Sequence, residues 1–166
     1  MRTIVAIDPG STQSAVVVMS PEYEVLEHFK RPNEEVLKFL MTYYLPEEIE
    51  IVCEMIASYG MPVGAEVFET CVWIGRFWQL AEQAHIPFYR LYRQEEKLNL
   101  CHSTRARDSN IRQALIDRFA AHDLKNGRGT KKTPDFFSGF RAAEWAAAAV
   151  AVTFLDGHKE EIKHGE

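Results

Sequence analysis

The sequence has little cysteine and no long apolar run. Cys53, Cys71 and Cys101 lie far apart and form no CxxC pair, which argues against a disulfide framework or a zinc site. No stretch of about 18 apolar residues is present, so no membrane helix is expected. Only a few apolar residues precede the first acid, Asp8, whereas a signal peptide needs a longer apolar stretch. We therefore expect an intracellular, cytoplasmic protein whose thiols are buried.

Positive charge is scarce overall but concentrated in one part of the chain. The protein has 19 Lys and Arg against 24 Asp and Glu, a net charge of −5, which argues against a protein that simply coats DNA. Residues 90–141 nevertheless hold twelve of the basic residues and only six of the acids. This asymmetry indicates either a basic face that meets phosphates or an ordinary solvated surface.

The hydrophobic pattern predicts one α/β domain over residues 1–166, because no repeat or linker divides the chain. Strands are predicted over 3–8, 14–19, 23–29, 49–54 and 86–92. A first helix is predicted to begin at Asn33 and to end before Pro46, and further helices are predicted over 65–84, 109–122 and 141–155. Short connections favour three antiparallel strands, and the strand–helix–strand connections that follow favour parallel pairing. The order resembles the RNase H-like fold, a five-stranded mixed sheet with helices on both faces.

Two acids end apolar strand segments. Asp8 closes TIVAID before Pro9-Gly10, and Glu54 closes IEIVCE. If these strands are parallel neighbours, both side chains emerge at one sheet edge and repel each other unless a divalent cation neutralises them. Either acid alone is explained by a turn cap or a solvated strand end, but the two together favour a metal site.

A third acid is expected from the last predicted helix. Glu144 lies in the first turn of RAAEWAAAAVAVTFL, whose alanines allow a close approach to the sheet. A lone buried acid is costly, and a metal would resolve that cost. The alternative is an acid stabilised by the helix dipole. Asp135, in the preceding loop, is the competing candidate.

These segments resemble the RuvC-type Holliday-junction resolvases. IVAIDPGSTQSAVVV resembles the opening strand with its catalytic aspartate and Pro-Gly turn, IVCEM resembles the segment of the second acid, and RAAEWAAAAVAV resembles the final helix. The resemblance covers most of the chain. It is closest to the compact resolvase-like proteins of phage and prophage, where a GTKK-type loop precedes the last helix; here that loop reads GRGTKKTPDFFSG.

The resemblance implies a Mg²⁺-dependent endonuclease of the crossover-junction type that cuts branched DNA as a homodimer, without a small-molecule cofactor. It implies two Mg²⁺ or Mn²⁺ ions held by Asp8, Glu54 and Glu144, one orienting a water for in-line attack and one stabilising the leaving 3′ oxygen. The family carries two acids three residues apart on the last helix, and Arg141 stands at the first of these positions. A non-catalytic or differently specific RNase H-like protein that binds nucleic acid is therefore the alternative.

Basic residues are expected to hold the phosphates. The candidates precede or follow the 109–122 helix, or lie in it: Lys97, Arg105, Arg107, Arg112, Lys131 and Lys132. Ordinary exposed cations are the alternative for each. In the basic loop 124–139, Phe136 and Phe137 are expected to anchor the loop, and a wedge into an opened junction is the alternative.

The helix over 65–84 is a possible dimer seam. It displays more apolar surface than one sheet face requires, through Phe68, Val72, Trp73, Phe77 and Leu80. A C₂ dimer would present two active sites to the two strands of a junction. The alternative is a helix that only covers the core.

Overall fold

The computed structural model of the protein describes residues 2–42 and 48–164, and side chains up to residue 159. The strands are β1 (Thr3–Asp8), β2 (Gln13–Met19), β3 (Val25–Pro32), β4 (Ile49–Met55) and β5 (Phe88–Tyr92). The helices are α1 (Asn33–Thr42), α2 (Ala65–Gln83), α3 (Arg93–Cys101), α4 (Asp108–Phe119) and α5 (Ala142–His164). Pro46, predicted to follow the first helix, lies outside the described residues.

The strands form one five-stranded sheet in the order β3-β2-β1-β4-β5. β1 pairs antiparallel with β2, and β2 with β3, whereas β1–β4 and β4–β5 are parallel. The short β1–β2 and β2–β3 connections allow antiparallel pairing, while α1 and α2 carry the chain back for the parallel pairs. The predicted mixed sheet is confirmed.

Helices cover both faces of the sheet, as predicted. Alternation along each strand sends neighbouring side chains to opposite faces. One face carries Ile4, Ala6, Val17 and Val52 and packs against α3, α4 and α5. The other carries Val5, Ile7, Val16 and Ile51 and packs against α1 and α2. The buried alanines of α5, among them Ala147, Ala148 and Ala151, let that helix lie close to the sheet.

Several predicted boundaries were wrong, and one helix was missed. Tyr23 adopts φ 67° in a turn in which its N–H donates to Ser20, so β3 begins at Val25. The last helix continues past 155 to His164 because the residues that follow Leu155 include good helix formers. No helix was predicted over Arg93–Cys101, because its polar residues give no apolar stripe.

The predicted outward face of α2 is partly wrong. Trp73 is 9% exposed and Phe77 is fully buried, both in the core beneath α2. Leu80 is partly buried against the same core, and only Phe68 and Val72 are exposed. The apolar face with which α2 covers the core is therefore broader than predicted, and it includes Trp73, Phe77 and Leu80.

Two other expectations from composition can be compared with the described part of the chain. No helix there combines the length and apolarity needed to cross a membrane. The three cysteines are free thiols, but only Cys53 is fully buried, while Cys71 and Cys101 are partly buried.

Candidate active site

The structure brings Asp8 and Glu54 together at one edge of the sheet. Ile7 pairs with Cys53 in the parallel β1–β4 ladder, so the next residue of each strand is Asp8 and Glu54. Both side chains lie on the face covered by α5, the face of Ala6 and Val52. Parallel pairing therefore places two carboxyl groups side by side.

The turn after Asp8 is held by polar contacts. Asn33 is fully buried; its Oδ1 accepts a hydrogen bond from Ser14 Oγ at 2.6 Å, and its Nδ2 donates to the Gly10 carbonyl at 3.0 Å. Gly10 is required here because a Cβ would lie 2.2 Å from the carbonyl oxygen of Gln13. Asn33, the predicted first residue of α1, therefore also fixes the strand end that carries Asp8.

The Asp8 carboxyl group is protonated far more readily than an ordinary aspartate. Burial raises its pKa to about 8, assisted by the negative charge of Glu54 and a hydrogen bond between the two carboxyl groups. The positive charges of Arg93 and Lys30 act in the opposite direction. A buried acid pair with this property is typical of functional sites.

A third acid, Glu96, lies beside Glu54 and was missed from the sequence. It stands in the first turn of α3 and is fully buried. Burial, followed by the charge of Glu54, raises the Glu96 pKa to about 10. No sequence signal indicated Glu96, because α3 itself was not predicted and its two adjacent acids, Glu95 and Glu96, differ only in the structure, where Glu95 is exposed.

Arg93 connects these acids. Its Nη1 lies 3.2 Å from Glu96 Oε1 and 3.7 Å from Glu54 Oε1, and its Nη2 bonds Asp108. Glu54 Oε1 and Glu96 Oε2 are buried oxygens without a hydrogen-bond partner in the described structure. One guanidinium therefore faces several acids, and the raised pKa values of Asp8 and Glu96 mean that protons, as well as Arg93, neutralise the cluster.

Glu144 is buried as predicted, but it contacts a different partner. Its Oε1 lies 2.5 Å from Nδ1 of His28 on β3, and its Oε2 accepts the backbone N–H of Arg141 at 3.0 Å. Asp8 and Glu54 are not among its hydrogen-bond partners. Over residues 2–42 and 48–164, no three His, Cys, Asp or Glu side chains are arranged as a ready metal site.

Asp135 organises the loop before α5 rather than the acid cluster. Its two carboxylate oxygens accept the backbone N–H groups of Ala121, His122, Asp123 and Phe136 at 2.7 to 2.9 Å. These hydrogen bonds hold the Asp135 pKa well below its usual range. An acid with both oxygens occupied is a poor replacement for the missing carboxylate on α5.

The two loop phenylalanines anchor the loop, as expected. Phe137 is 1% exposed, and its ring centroid lies 4.3 Å from that of Trp145. Phe136 is partly buried and stacks on Phe119 with centroids 4.8 Å apart. Because the Phe137 ring is buried, it is not available to insert into DNA. The ring contacts of Phe136 and Phe137 instead fix the loop against α4 and α5.

The predicted phosphate contacts lie mostly on the surface. Exposed side chains belong to Arg105, Arg107, Lys131 and Lys132, whereas Lys97 and Arg112 are partly buried. The Arg112 guanidinium lies over the Trp145 ring, 4.5 Å from its centroid. Lys30, an exposed β3 residue close enough to lower the Asp8 pKa, was missed because β3 is distant in sequence from the basic segment.

Two concave surfaces adjoin Arg93. A cavity of about 350 Å³ lies between α3, α4 and α5 and is lined by Arg93, Asp108, Arg112 and Trp145. A second, of about 250 Å³, is lined by Glu54, Tyr59 and Arg93. The acid cluster is therefore reached from surfaces that carry basic and aromatic side chains.

A mixed sheet in this order, with acids at the carboxyl ends of neighbouring parallel strands, defines an RNase H-like α/β domain. Neither a protein-family model nor a curated protein matches the sequence. Solved structures do match. RuvC of Thermus thermophilus is 17% identical with a TM-score of 0.67, over 95% of this chain and 96% of that one.

A second structure, T. thermophilus RuvC in complex with a Holliday junction substrate, is 15% identical with a TM-score of 0.66 and 92% of each chain covered. At these identities the likeness concerns the fold. The chain has the fold of the RuvC Holliday-junction resolvases, which confirms the fold that the sequence motifs predicted.

Proposed function

We propose that the protein is a metal-dependent endonuclease that cuts branched DNA, with the Holliday junction as its substrate. The observation that carries the proposal is the Asp8–Glu54 pair. These two carboxyl groups lie at adjacent strand ends of a RuvC-like fold, and one buried oxygen, Glu54 Oε1, accepts no hydrogen bond in the described structure. One of the RuvC structures that this fold resembles contains a Holliday junction.

The residues at the site fit a hard divalent cation. Mg²⁺ or Mn²⁺ prefers oxygen ligands, and Mg²⁺ is commonly held by one or two carboxylates together with water and substrate phosphate. Asp8 and Glu54 would hold it, and Glu144 is a third candidate on the same sheet face, where His28 now engages it. When bound, such ions activate water for phosphodiester hydrolysis and stabilise the leaving oxygen.

The protein side chains around the acids would position the DNA. Lys30, beside Asp8, is placed to contact a phosphate next to the cleaved bond. The more distant basic residues, Lys97, Arg105, Arg107, Lys131 and Lys132, lie on elements that pack on the same sheet face and would hold flanking phosphates. Such contacts orient the substrate without reading its sequence.

A homodimer formed through the exposed part of α2 belongs to the proposal. Phe68 is 62% and Val72 56% exposed, and their i, i+4 spacing puts them on one side of the helix. Phe68→Glu should give a folded monomer that loses paired incision, whereas Trp73→Glu should unfold because Trp73 is in the core. Sedimentation measures the state, and a wild-type monomer both free and on junction DNA would rule the dimer out.

The deciding experiment is a cleavage assay with four-way, Y-shaped and linear duplex DNA, with and without Mg²⁺. We expect Mg²⁺-dependent nicks in the branched substrates and little cutting of the linear duplex. Cutting of all three alike would indicate a nuclease of different specificity.

A non-catalytic protein that binds branched DNA is the second candidate. It is favoured by Arg141, which stands where the family carries an acid, and by the pairing of Glu144 with His28. This candidate predicts tight junction binding without cleavage in either Mg²⁺ or Mn²⁺. A gel-shift measurement on the same substrates therefore separates the two.

A further inference from the structure

A buried glutamate outside the predicted acid set lies beside Glu54. Glu96 stands one helical turn after Arg93 on α3, which leaves the sheet at the carboxyl end of β5, the strand next to β4. Its side chain is 0% exposed, and its Oε2 has no hydrogen-bond partner in the described structure. Arg93 and the Glu54 carboxyl group are the described partners of Glu96. An acid that is buried with one oxygen still lacking a hydrogen bond is costly.

The neighbouring Glu95 shows that the helix itself does not require Glu96. Glu95 is exposed, and its Oε2 accepts the backbone N–H of Tyr92 at 2.6 Å, which completes a capping box. That hydrogen bond provides the usual benefit of an acid in a first helical turn. Glu96 instead turns inward towards Glu54, as their common contact with Arg93 Nη1 shows.

The charge of Arg93 does not balance the acids that surround it. Its two terminal nitrogens are divided among Glu54, Glu96 and Asp108. The two acids that share Nη1 each keep one buried oxygen without a hydrogen bond, Glu54 Oε1 and Glu96 Oε2. A divalent cation has both the charge and the preference for carboxylate oxygens that this cluster calls for.

We propose that Glu96 is an additional carboxylate ligand of the cation at Asp8 and Glu54, and that Arg93 takes the place of the cation when none is bound. The inference rests on the proposed function, because it concerns the same site. Arg93 is 28% exposed between two cavities, so its guanidinium has room to withdraw. In the described residues, the carboxylates of Asp8, Glu54 and Glu96 are not arranged as a ready metal site. Withdrawal of the Arg93 guanidinium would let these three carboxylates close on an ion.

The test is Mn²⁺ binding by the full chain without DNA, measured by calorimetry and by the electron paramagnetic resonance of free Mn²⁺. Glu96→Gln should weaken Mn²⁺ binding by about tenfold or more. Glu95→Gln is the matched control and should bind like wild type, since it changes an exposed neighbour in the same way. Glu54→Gln tests the proposed metal site itself.

The pattern of results separates the two proposals. Weak binding by Glu54→Gln with unchanged binding by Glu96→Gln would leave the metal site standing and reduce Glu96 to a partner of Arg93. No Glu54-dependent Mn²⁺ binding in wild type would overturn both.

A second variant guards against misfolding of Glu96→Gln. Arg93→Met removes the competing cation, so it should bind Mn²⁺ more tightly than wild type. Adding Glu96→Gln to this variant should weaken Mn²⁺ binding again. If Glu96 only pairs with Arg93, the double variant should bind Mn²⁺ as tightly as Arg93→Met alone. Thermal melting with EDTA and with Mn²⁺ supplies the other readout: Glu96→Gln should stay folded but lose most of the Mn²⁺-induced rise in Tm.

Discussion

Two groups of acids lie on the same side of the sheet and behave in opposite ways. At the strand ends, Asp8, Glu54 and Glu96 are crowded together, and two of their oxygens have no hydrogen-bond partner in the described structure. In the loop before α5, Asp135 accepts four backbone N–H groups, and Asp123 accepts those of Asn126 and Gly129. The pKa values of Asp8 and Glu96 are raised, whereas those of Asp123 and Asp135 are lowered.

The contrast separates acids that stabilise the fold from the acids that we propose bind a metal ion. An acid whose oxygens are saturated with N–H donors stabilises the fold in its charged form and has no capacity left for a ligand. Acids that are crowded and unsaturated cost stability, and such a cost is commonly found where a site must bind or react. Sequence position alone did not distinguish Asp135 from Glu96, but their hydrogen-bond partners do.

The largest expected effect is on cleavage. Asp8→Asn should lower the Mg²⁺-dependent cleavage rate more than about 100-fold, because it removes a proposed ligand of the metal ion. Such an ion lowers the free energy of the charged transition state by several kcal/mol. Junction binding should persist or improve, since one negative charge near the phosphates is lost. Gel-based kinetics and gel shifts measure the two. Asp117→Asn, exposed on α4, is the control, and Mg²⁺-dependent cutting retained by Asp8→Asn would refute the assignment.

The loop acid should instead affect stability at low pH. Its lowered pKa means that Asp135 stabilises the folded state above the pKa of an unfolded aspartate, and that this contribution is lost as the pH falls. Asp135→Asn should lower Tm at neutral pH by more than about 3 °C and flatten the acid side of the stability curve. Scanning calorimetry from about pH 3 to pH 7 provides the check, and a wild-type-like profile would contradict the structural role.

The acid cluster should affect stability in the opposite pH range. Burial and the charge of Glu54 raise the pKa of Asp8 to about 8, far above that of an ordinary aspartate, so the folded protein retains a proton that the unfolded chain loses. The associated stabilisation is complete below about pH 4 and fades as the pH rises to about 8. Asparagine does not ionise, so Asp8→Asn avoids the cost of a buried charge at high pH. In EDTA, its free energy of unfolding there should be larger than that of wild type by more than about 1 kcal/mol. Urea denaturation with parallel pH dependence in both proteins would argue against this.

The smallest effect should come from the lysines that the loop presents. Lys131→Ala and Lys132→Ala should each weaken junction binding a few-fold and reduce the slope of log K against log salt by about 1. Lys38→Ala, exposed on α1 across the sheet, should leave both unchanged. Fluorescence anisotropy at several salt concentrations measures the slope. An effect of Lys38→Ala equal to theirs would mean that the basic loop is not the DNA face.

Much of the architecture could be predicted because it depends on local pattern. The runs TIVAID and IEIVCE form neighbouring parallel strands. Both are short and apolar, and the helical segment after β3 returns the chain so that β4 can run in the direction of β1. Once those strands are parallel neighbours, the meeting of Asp8 and Glu54 follows from strand geometry. The resemblance to RuvC-type proteins added the topology, which the solved structures support.

The sequence by itself therefore determined the strands, their antiparallel or parallel pairing and the central acid pair, since hydrophobic periodicity and connection length specify them. Only the tertiary structure decided the partners of the remaining charges. Glu144 meets His28 across 116 residues, and Lys30 approaches Asp8 from two strands away. Glu96 is buried because α3 docks beside β4, and no local pattern reports that docking. Charge pairing depends on which elements pack together, and packing is settled by contacts between segments that lie far apart in the chain.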